Sequence, residues 1–321
     1  MSRIYEALQK AESERKLERR EPEPQVPEQS SSAGISVAAA VAEPHEPIYA
    51  TRPFEAPIHT EPYAEPSTHR AGGESLDLSK VPTRPWMPSM EQLPSLLERG
   101  PTVEQFRSLR SRIFELRDIS PLKTILISSG LPQEGKSFVS TNLALSLARH
   151  KNSKVLLIDG DMRRYTLHQI LGCEAHPGLA DYLAGKATLL EVMQRPEPQA
   201  VIKGVAQVLP NLTFIAGGNG GDKAADLSGS PRFGELIRQA VPYFDWIIVD
   251  SSPVLPVSDA VNLARSCDGV LLVARGGVTK FPVAQRAQSE LKASNILGFV
   301  LNAVQDTPEV GSYYGYDANK L

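Results

Sequence analysis

The sequence predicts an α/β fold in which a mostly parallel sheet is covered by helices on both faces. From about Pro101 onward, short apolar runs of strand length alternate with amphipathic helical segments. One of these runs leads into a glycine-rich loop, and two others end in an aspartate. Continuous apolar strands separated by helices are typical of buried parallel sheets, because each crossover helix covers one face of the sheet.

The individual elements follow from the hydrophobic pattern in chain order. Val103–Leu116 is expected to be a helix with Phe106, Leu109 and Ile113 on its apolar face. Strands are expected near residues 124–129, 154–159, 212–216, 245–250, 269–274 and 297–302. Further helices are expected near residues 137–150, 232–240, 257–266 and 280–293. Together these elements predict one folded domain over residues 96–305.

The composition divides the rest of the chain into three parts. Half of the 26 prolines lie between Pro22 and Pro94, in a stretch rich in Glu, Ser and Ala, so residues 21–95 are predicted to be a disordered linker. Residues 1–20 are predicted to form an N-terminal helix, which is either simply solvated or a docking element on a long tether. Residues 306–321 form a tyrosine-rich C-terminal tail.

The glycine-rich loop has the complete pattern Gly-x-x-x-x-Gly-Lys-Ser between a predicted strand and a predicted helix, so a P-loop NTPase fold is expected. Its glycines allow backbone N–H groups to surround phosphates, and the helix N-terminus favours negative charge there. Lys136 is expected to hold the phosphates of a nucleoside triphosphate, and the Ser137 hydroxyl is expected to ligate Mg²⁺. The predicted nucleotide-binding residues of the loop are Gly130, Leu131, Pro132, Gln133, Glu134, Gly135, Lys136, Ser137 and Phe138.

Acidic residues follow two other strands: Asp159 and Asp161 follow one, and Asp250 follows another. Because parallel strands end at the same edge of a sheet, these carboxylates are expected to converge on the phosphate loop, although each aspartate alone could also cap a helix. Asp250 and Asp161 are candidate Mg²⁺ ligands, and Asp161, assisted by Asp159, is a candidate base for a hydroxyl proton. Arg163 either stabilises transferred charge or pairs with Asp161.

Charge and cysteine content restrict the partners and the location. The net charge of −3 gives no basic footprint, so no nucleic-acid partner is expected. Cys173 and Cys267 lack metal-ligand spacing, and the N-terminus is charged rather than apolar, so a cytoplasmic location is expected. No apolar run reaches membrane length, so work at a membrane would require a partner.

Residues 101–321 resemble the bacterial protein tyrosine kinases, the P-loop autokinases of exopolysaccharide and capsule assembly. The resemblance is carried by the phosphate loop Gly130–Ser137, the Asp-x-Asp-x-Arg motif Asp159–Arg163, Asp250, and the segments 253–260, 267–274 and 297–302. The first eight residues, Met1-Ser-Arg-Ile-Tyr-Glu-Ala-Leu8, resemble the start of an exosortase-associated subgroup. Tyr165 and Ser252 stand where the family usually has proline, which removes no phosphate-binding or metal-binding group.

The resemblance implies an ATP-dependent tyrosine autokinase with additional functional residues. Its phosphoacceptors would be Tyr313, Tyr314 and Tyr316 in the tail. Glu104, Arg107 and Arg110 match the family's oligomerisation motif, and Asn302 is expected to contact the adenine. Because the last strand should be parallel to the strand feeding the phosphate loop, the tail should leave from the active-site edge. Its eleven residues up to Tyr313 reach about 38 Å, which favours phosphorylation in trans within a homo-oligomer.

The resemblance also implies partners and a location. The expected activator is a membrane chain-length determinant protein, a polysaccharide co-polymerase, which would recruit the chain to the inner face of the plasma membrane. A cognate tyrosine phosphatase is expected as well. Two other classes stay open: a P-loop ATPase switch of the cell-division or partitioning type, and a nucleotide-binding scaffold of a polysaccharide synthesis complex. Leu131 argues against the first, because the related partitioning ATPases carry a signature lysine at that position.

Overall fold

The computed structural model describes residues 76–150, 153–197 and 211–304. Its strands are β1 Thr83–Arg84, β2 Thr124–Ser129, β3 Val155–Asp159, β4 Met193–Pro196, β5 Leu212–Ile215, β6 Trp246–Asp250, β7 Gly269–Arg275 and β8 Ile296–Asn302. Its helices are α1 Pro101–Ile119, α2 Lys136–Ala148, α3 Leu167–Leu171, α4 Leu179–Leu183, α5 Leu189–Val192, α6 Ala224–Ser228, α7 Pro231–Ala240, α8 Asp259–Ala264 and α9 Phe281–Glu290. Short 3-10 turns lie at Leu78–Lys80, Pro94–Leu96 and Gly221–Lys223.

The strands form one eight-stranded sheet in the order β1-β4-β5-β3-β6-β2-β7-β8. Every neighbouring pair is parallel except β4 and β5. The predicted α/β fold with a mostly parallel sheet is therefore confirmed, and each of the predicted strands ends within one residue of its expected bounds. β1, at the edge of the sheet, and β4, beside it, were not predicted, because these short strands lack a continuous apolar run.

The central strands are buried on both faces, since β2, β3 and β6 contain no exposed residue. Successive side chains on a strand point to opposite faces. Accordingly, Ile125 and Ile127 belong to one apolar cluster and Leu126 to the other. The two clusters lie on opposite sides of the sheet and hold the carboxyl ends of β2, β3 and β6 side by side, because these three strands are adjacent and parallel.

The folded region includes residues from Leu76 onward, so the predicted linker boundary at residue 95 is wrong for residues 76–95. Trp86 is 2% exposed and packs edge-on against Phe214, with the ring centroids 6.1 Å apart. Leu93 is fully buried, and the Ser95 N–H donates to the side chain of Asn142 on α2 at 3.0 Å. Composition misled here because a few large apolar anchors can fix a proline-rich segment. The rest of the predicted linker and the predicted N-terminal helix lie outside the described residues.

Replacing Trp86 by alanine tests whether this segment belongs to the folded domain. Trp86→Ala removes a fully buried indole, and such substitutions cost about 3–5 kcal/mol of unfolding free energy. The thermal midpoint of the full chain should fall by roughly 10 °C. Met87→Ala is the matched control, because the neighbouring Met87 is 80% exposed, and it should leave the midpoint unchanged. Equal melting of both variants would show that residues 76–95 do not stabilise the domain.

Helix α1 packs its apolar side onto the domain and is longer at both ends than the predicted 103–116. Val103, Phe106 and Ile113 are buried, and the ring of Phe106 contacts that of Phe138 on α2 with centroids 5.7 Å apart.

Among the described residues, no helix combines the length and the apolar character required to cross a membrane.

Candidate active site

The phosphate loop connects β2 to α2, and its backbone is shaped by two left-handed positions. Gln133 has φ 65° and Gly135 has φ 96°, and Gly135 is the N-cap of α2. Left-handed residues in a loop turn successive backbone N–H groups toward the same side, where these groups form a concave site that binds anions. A side chain at Gly135 would be strained at this positive φ, and its first carbon would displace the side-chain amide of Asn302, so the position favours glycine.

Glu134 braces the loop from inside, although sequence analysis treated it only as a phosphate-loop residue. Its buried carboxylate accepts from the backbone N–H of Leu131 at 2.8 Å and from the hydroxyl of Thr279, in the connection between β7 and α9. Its carbonyl accepts from Asn302 Nδ2 at 3.0 Å. Asn302, at the end of β8, is therefore bonded to the loop itself, and its predicted contact with adenine stays a prediction. Thr279 belongs to no sequence motif, so its hydrogen bond to Glu134 could not be predicted.

Ser137 and Asp250 form the candidate metal site. Ser137 Oγ donates to Asp250 Oδ2 at 2.7 Å, which the adjacency of β2 and β6 makes possible. Asp250 Oδ1 is buried and has no hydrogen-bond partner among the described residues. Buried polar atoms are usually satisfied, and Mg²⁺ is typically held by one or two carboxylates together with phosphate oxygens. The orphaned oxygen beside a serine hydroxyl thus fits a Mg²⁺ ligand set.

Lys136 forms an ion pair with Asp161. Nζ of Lys136 lies 3.1 Å from Oδ2 of Asp161, and the two side chains are only 15% and 4% exposed. Burial by itself would lower the pKa of Lys136, but the carboxylates of Asp250 and Asp161 outweigh it and raise that pKa. The ammonium group therefore stays charged at the base of the loop, where it is available to phosphate oxygens.

Asp159 is turned into the protein. Its two oxygens accept from the backbone N–H groups of Asp161 at 3.2 Å and Leu167 at 3.1 Å, so it fixes the turn after β3 and caps α3. Complete burial, followed by the nearby charge of Asp250, raises the pKa of Asp159 well above its usual value. This geometry gives Asp159 a positioning role, and its predicted assistance to the base stays a prediction.

Arg163 pairs with Asp259 and not with Asp161. Its guanidinium contacts both carboxylate oxygens, at 2.7 and 3.3 Å, and this bonding raises the pKa of Arg163. Asp259 is fully buried at the start of α8. Sequence analysis gave Asp259 no role, because its partner lies 96 residues away in the chain. The pair ties the segment after β3 to the segment after β6.

A cleft of about 350 Å³ contains some of these groups. Lys136 and Asp161 line it together with Pro132 and Gln133 of the phosphate loop. Its remaining lining residues are Arg163, Arg164, Thr166, Ser252, Pro253, Pro256 and Val257. The cleft thus places an ammonium group and an acidic side chain at the same surface that the loop presents to phosphates.

The predicted oligomerisation residues lie on α1, away from the cleft. Arg107 pairs with Glu104 on the same helix and donates to the carbonyl of Glu98 at 2.9 Å. Arg110 donates to the carbonyl of Ser146 on α2 at 2.7 Å, which is a contact within the chain. The inter-subunit role of these three residues stays a prediction. The predicted phosphoacceptors Tyr313, Tyr314 and Tyr316 lie outside the described residues.

Fold and loop together define a P-loop nucleotide-binding protein. No protein-family model matches the chain. Tyrosine-protein kinase ptk of Acinetobacter johnsonii is 30% identical over 245 residues, which is 72% of this chain and 32% of that protein. Tyrosine-protein kinase YwqD of Bacillus subtilis strain 168 is 31% identical over 219 residues, which is 68% of this chain and 86% of YwqD. The solved kinase domain of Escherichia coli tyrosine kinase ETK matches with a TM-score of 0.56 at 31% identity, over 64% of this chain and 77% of that one.

The chain belongs to the bacterial tyrosine-protein kinases. Several relatives are much longer: the chain spans 28% of the length of two Ralstonia proteins that are 34 and 35% identical to it.

Proposed function

We propose that this protein is an ATP-dependent tyrosine autokinase that phosphorylates its C-terminal tyrosines in trans and regulates exopolysaccharide biosynthesis or export. The main observation in support is that the Lys136–Asp161 pair lies in the same cleft as the phosphate loop, beside Ser137 and Asp250. A phosphate-binding cation and a carboxylate able to take a proton therefore meet at one point. Family membership supports the choice of tyrosine as the acceptor.

The donor half of the reaction uses the loop and its flanking residues. Backbone N–H groups of the loop and the Lys136 ammonium bind the β- and γ-phosphates of ATP. Ser137 and Asp250 Oδ1 would hold Mg²⁺, which supplies charge neutralisation at the phosphate oxygens. When Lys136 turns toward the phosphates, it leaves Oδ2 of Asp161, and that oxygen becomes free to accept a proton.

The acceptor half needs one proton transfer and one displacement. Asp161 takes the proton of the tyrosine hydroxyl as the phenolic oxygen bonds to the γ-phosphorus. The bond from the γ-phosphorus to the bridging oxygen breaks, and its electron pair leaves with ADP. The Arg163–Asp259 pair and Asp159 position the segment that carries Asp161, so their role is to hold the base rather than to react.

The course of β8 supports the tail as the acceptor. β8 is parallel to β2 through β7, and Asn302 at its end contacts the phosphate loop. The chain beyond Asn302 therefore starts at the active-site edge, and Tyr313 can be about 38 Å away at full extension. That reach covers a neighbouring subunit, which favours transfer in trans. An activator that is a membrane polysaccharide co-polymerase, with a cognate phosphatase reversing the reaction, completes the proposed cycle at the inner face of the plasma membrane.

Phosphosite mapping tests this function. The full chain is incubated with ATP and Mg²⁺, alone and with the cytoplasmic segment of a polysaccharide co-polymerase, at two protein concentrations. We expect phosphate on Tyr313, Tyr314 or Tyr316, and the rate of labelling should rise with protein concentration. A chain with all three tyrosines replaced by phenylalanine is the control and should lose that label. Phosphate release without tyrosine labelling would instead establish an ATPase switch, and nucleotide binding with neither would establish a scaffold.

A further inference from the structure

The cleft beside the phosphate loop has an apolar side that the phosphate chemistry does not use. Pro253, Pro256 and Val257, from the segment after β6, line it together with the polar groups Lys136 and Asp161. Rigid proline rings and a valine provide a surface for an aromatic ring at little cost in side-chain entropy. The combination fits a phenol whose ring lies on the apolar side and whose hydroxyl reaches Asp161.

Arg164 also lines this cleft, and none of the roles described so far uses its positive charge. Its side chain is exposed, and its guanidinium has no ion pair or hydrogen bond within residues 76–150, 153–197 and 211–304. The neighbouring Arg163, in contrast, is bonded to Asp259. The backbone N–H of Arg164 donates to Asp161 Oδ1 at 3.0 Å, which fixes the origin of the Arg164 side chain next to the candidate base.

The tail offers a matching anion. Asp317 directly follows Tyr316, whereas Tyr313 is followed by Tyr314 and Tyr314 by glycine. Consecutive Cα atoms lie about 3.8 Å apart, so the carboxylate of a following residue stays within arginine reach when the tyrosine hydroxyl is at Asp161. Arginine binds carboxylates through paired N–H groups, which gives the contact direction as well as charge.

We propose that the cleft is an acceptor subsite in which Pro253, Pro256 and Val257 hold the tyrosine ring and Arg164 selects a carboxylate directly after it. The substrate class is a tyrosine followed by an acidic residue, so Tyr316 is the preferred acceptor of the tail. This inference rests on the proposed kinase activity. Because Arg164 is exposed, its contribution is a modest one to acceptor binding, and salt should weaken it.

A charge-reversal experiment with peptide acceptors tests the assignment. The enzyme is the full chain with its three tail tyrosines replaced by phenylalanine, and the acceptor is a peptide of residues 311–321 or its Asp317→Lys version. Arg164→Glu should raise the KM for the natural peptide about 10-fold, with kcat and the KM for ATP nearly unchanged. The Asp317→Lys peptide should be poor for the wild-type enzyme and regain most of the loss with Arg164→Glu. Arg164→Lys should behave close to wild type.

The control is Arg286→Glu, an equal charge reversal at an exposed position on α9, which should leave both KM values unchanged. Thermal melting of each variant verifies that the fold is intact. Unchanged peptide KM in Arg164→Glu, or a peptide effect that reversal of Asp317 does not compensate, would overturn the acceptor subsite while leaving the kinase function standing. If only the KM for ATP rises, Arg164 contributes to nucleotide binding and not to acceptor binding, and the acceptor subsite is wrong. If the wild-type enzyme labels no tyrosine peptide, the proposed function itself fails.

Discussion

Lys136→Met should abolish tail phosphorylation, with a decrease of about 10³-fold or more in rate, while the chain stays folded. Loss of one preorganised charge at a phosphate typically costs 10²–10³-fold, and Lys136 also interacts with the charges of Asp250, Asp161 and Asp159, which would otherwise repel the phosphates. Methionine has a similar length and fills the same largely buried space. The measurement is incorporation of labelled phosphate into the tail, together with thermal melting of the variant.

The same substitution separates donor from acceptor. A Lys136→Met chain with intact tyrosines should still be labelled when mixed with active wild-type protein, because transfer in trans requires only its tail. Lys292→Met, at an exposed lysine beyond α9, is the matched control and should retain full activity. Strong labelling of Lys136→Met on its own would rule out the assigned role of this lysine.

Asp250→Asn should have two opposite effects, a loss of activity of about 10²–10³-fold and a gain in stability of the nucleotide-free protein. Burial is the main reason that the pKa of Asp250 is raised, and the charge of Asp161 adds to it, whereas Lys136 and the Ser137 hydroxyl act in the other direction. The net shift means that the fold disfavours the ionised carboxylate. A neutral asparagine keeps an acceptor for Ser137 and removes the buried charge, so it should raise the thermal midpoint.

Thermal melting with and without Mg²⁺ and ATP measures both effects. The wild-type protein should gain stability on adding the two together, because only the folded state binds them, and Asp250→Asn should gain much less. Asp118→Asn, an exposed position on α1, serves as the control for loss of one negative charge. A lower midpoint for nucleotide-free Asp250→Asn would mean that the attraction between the charges of Asp250 and Lys136 outweighs the cost of burying the Asp250 carboxylate.

Most of the fold could be predicted because the buried strands have continuous apolar runs and the loop motif fixes their direction. Position at the carboxyl end of a parallel strand predicted that Asp161 and Asp250 lie at the phosphate loop, and in the structure Asp161 contacts Lys136 and Asp250 contacts Ser137. What could not be predicted depends on contacts between distant segments. The burial of Trp86 depends on Phe214, and the partner of Arg163 is Asp259. Neither pairing has a local pattern.

The contacts that individual side chains of the motif make within the protein could not be predicted from the sequence either. The pattern requires only its glycines, lysine and serine, so it says nothing about Glu134 or about Phe138, whose ring packs against α1. Asn302 shows the same limit, because the pattern places it at the end of a strand but does not reveal that its amide bonds to the loop carbonyl. Motifs specify the atoms that bind a ligand, whereas the supporting bonds depend on the whole fold.

Those supporting bonds have a consequence for the thermodynamics of nucleotide binding. Glu134 accepts hydrogen bonds from Leu131 within the loop and from two residues far away in the chain, Thr279 and Asn302. The loop is therefore ordered by folding and not by its ligand, so binding does not have to include the entropy of arranging it. Preorganisation of this kind strengthens affinity without adding any contact to the nucleotide. Weakening the Glu134 bonds should therefore appear as a less favourable binding entropy, with the phosphate contacts themselves unchanged.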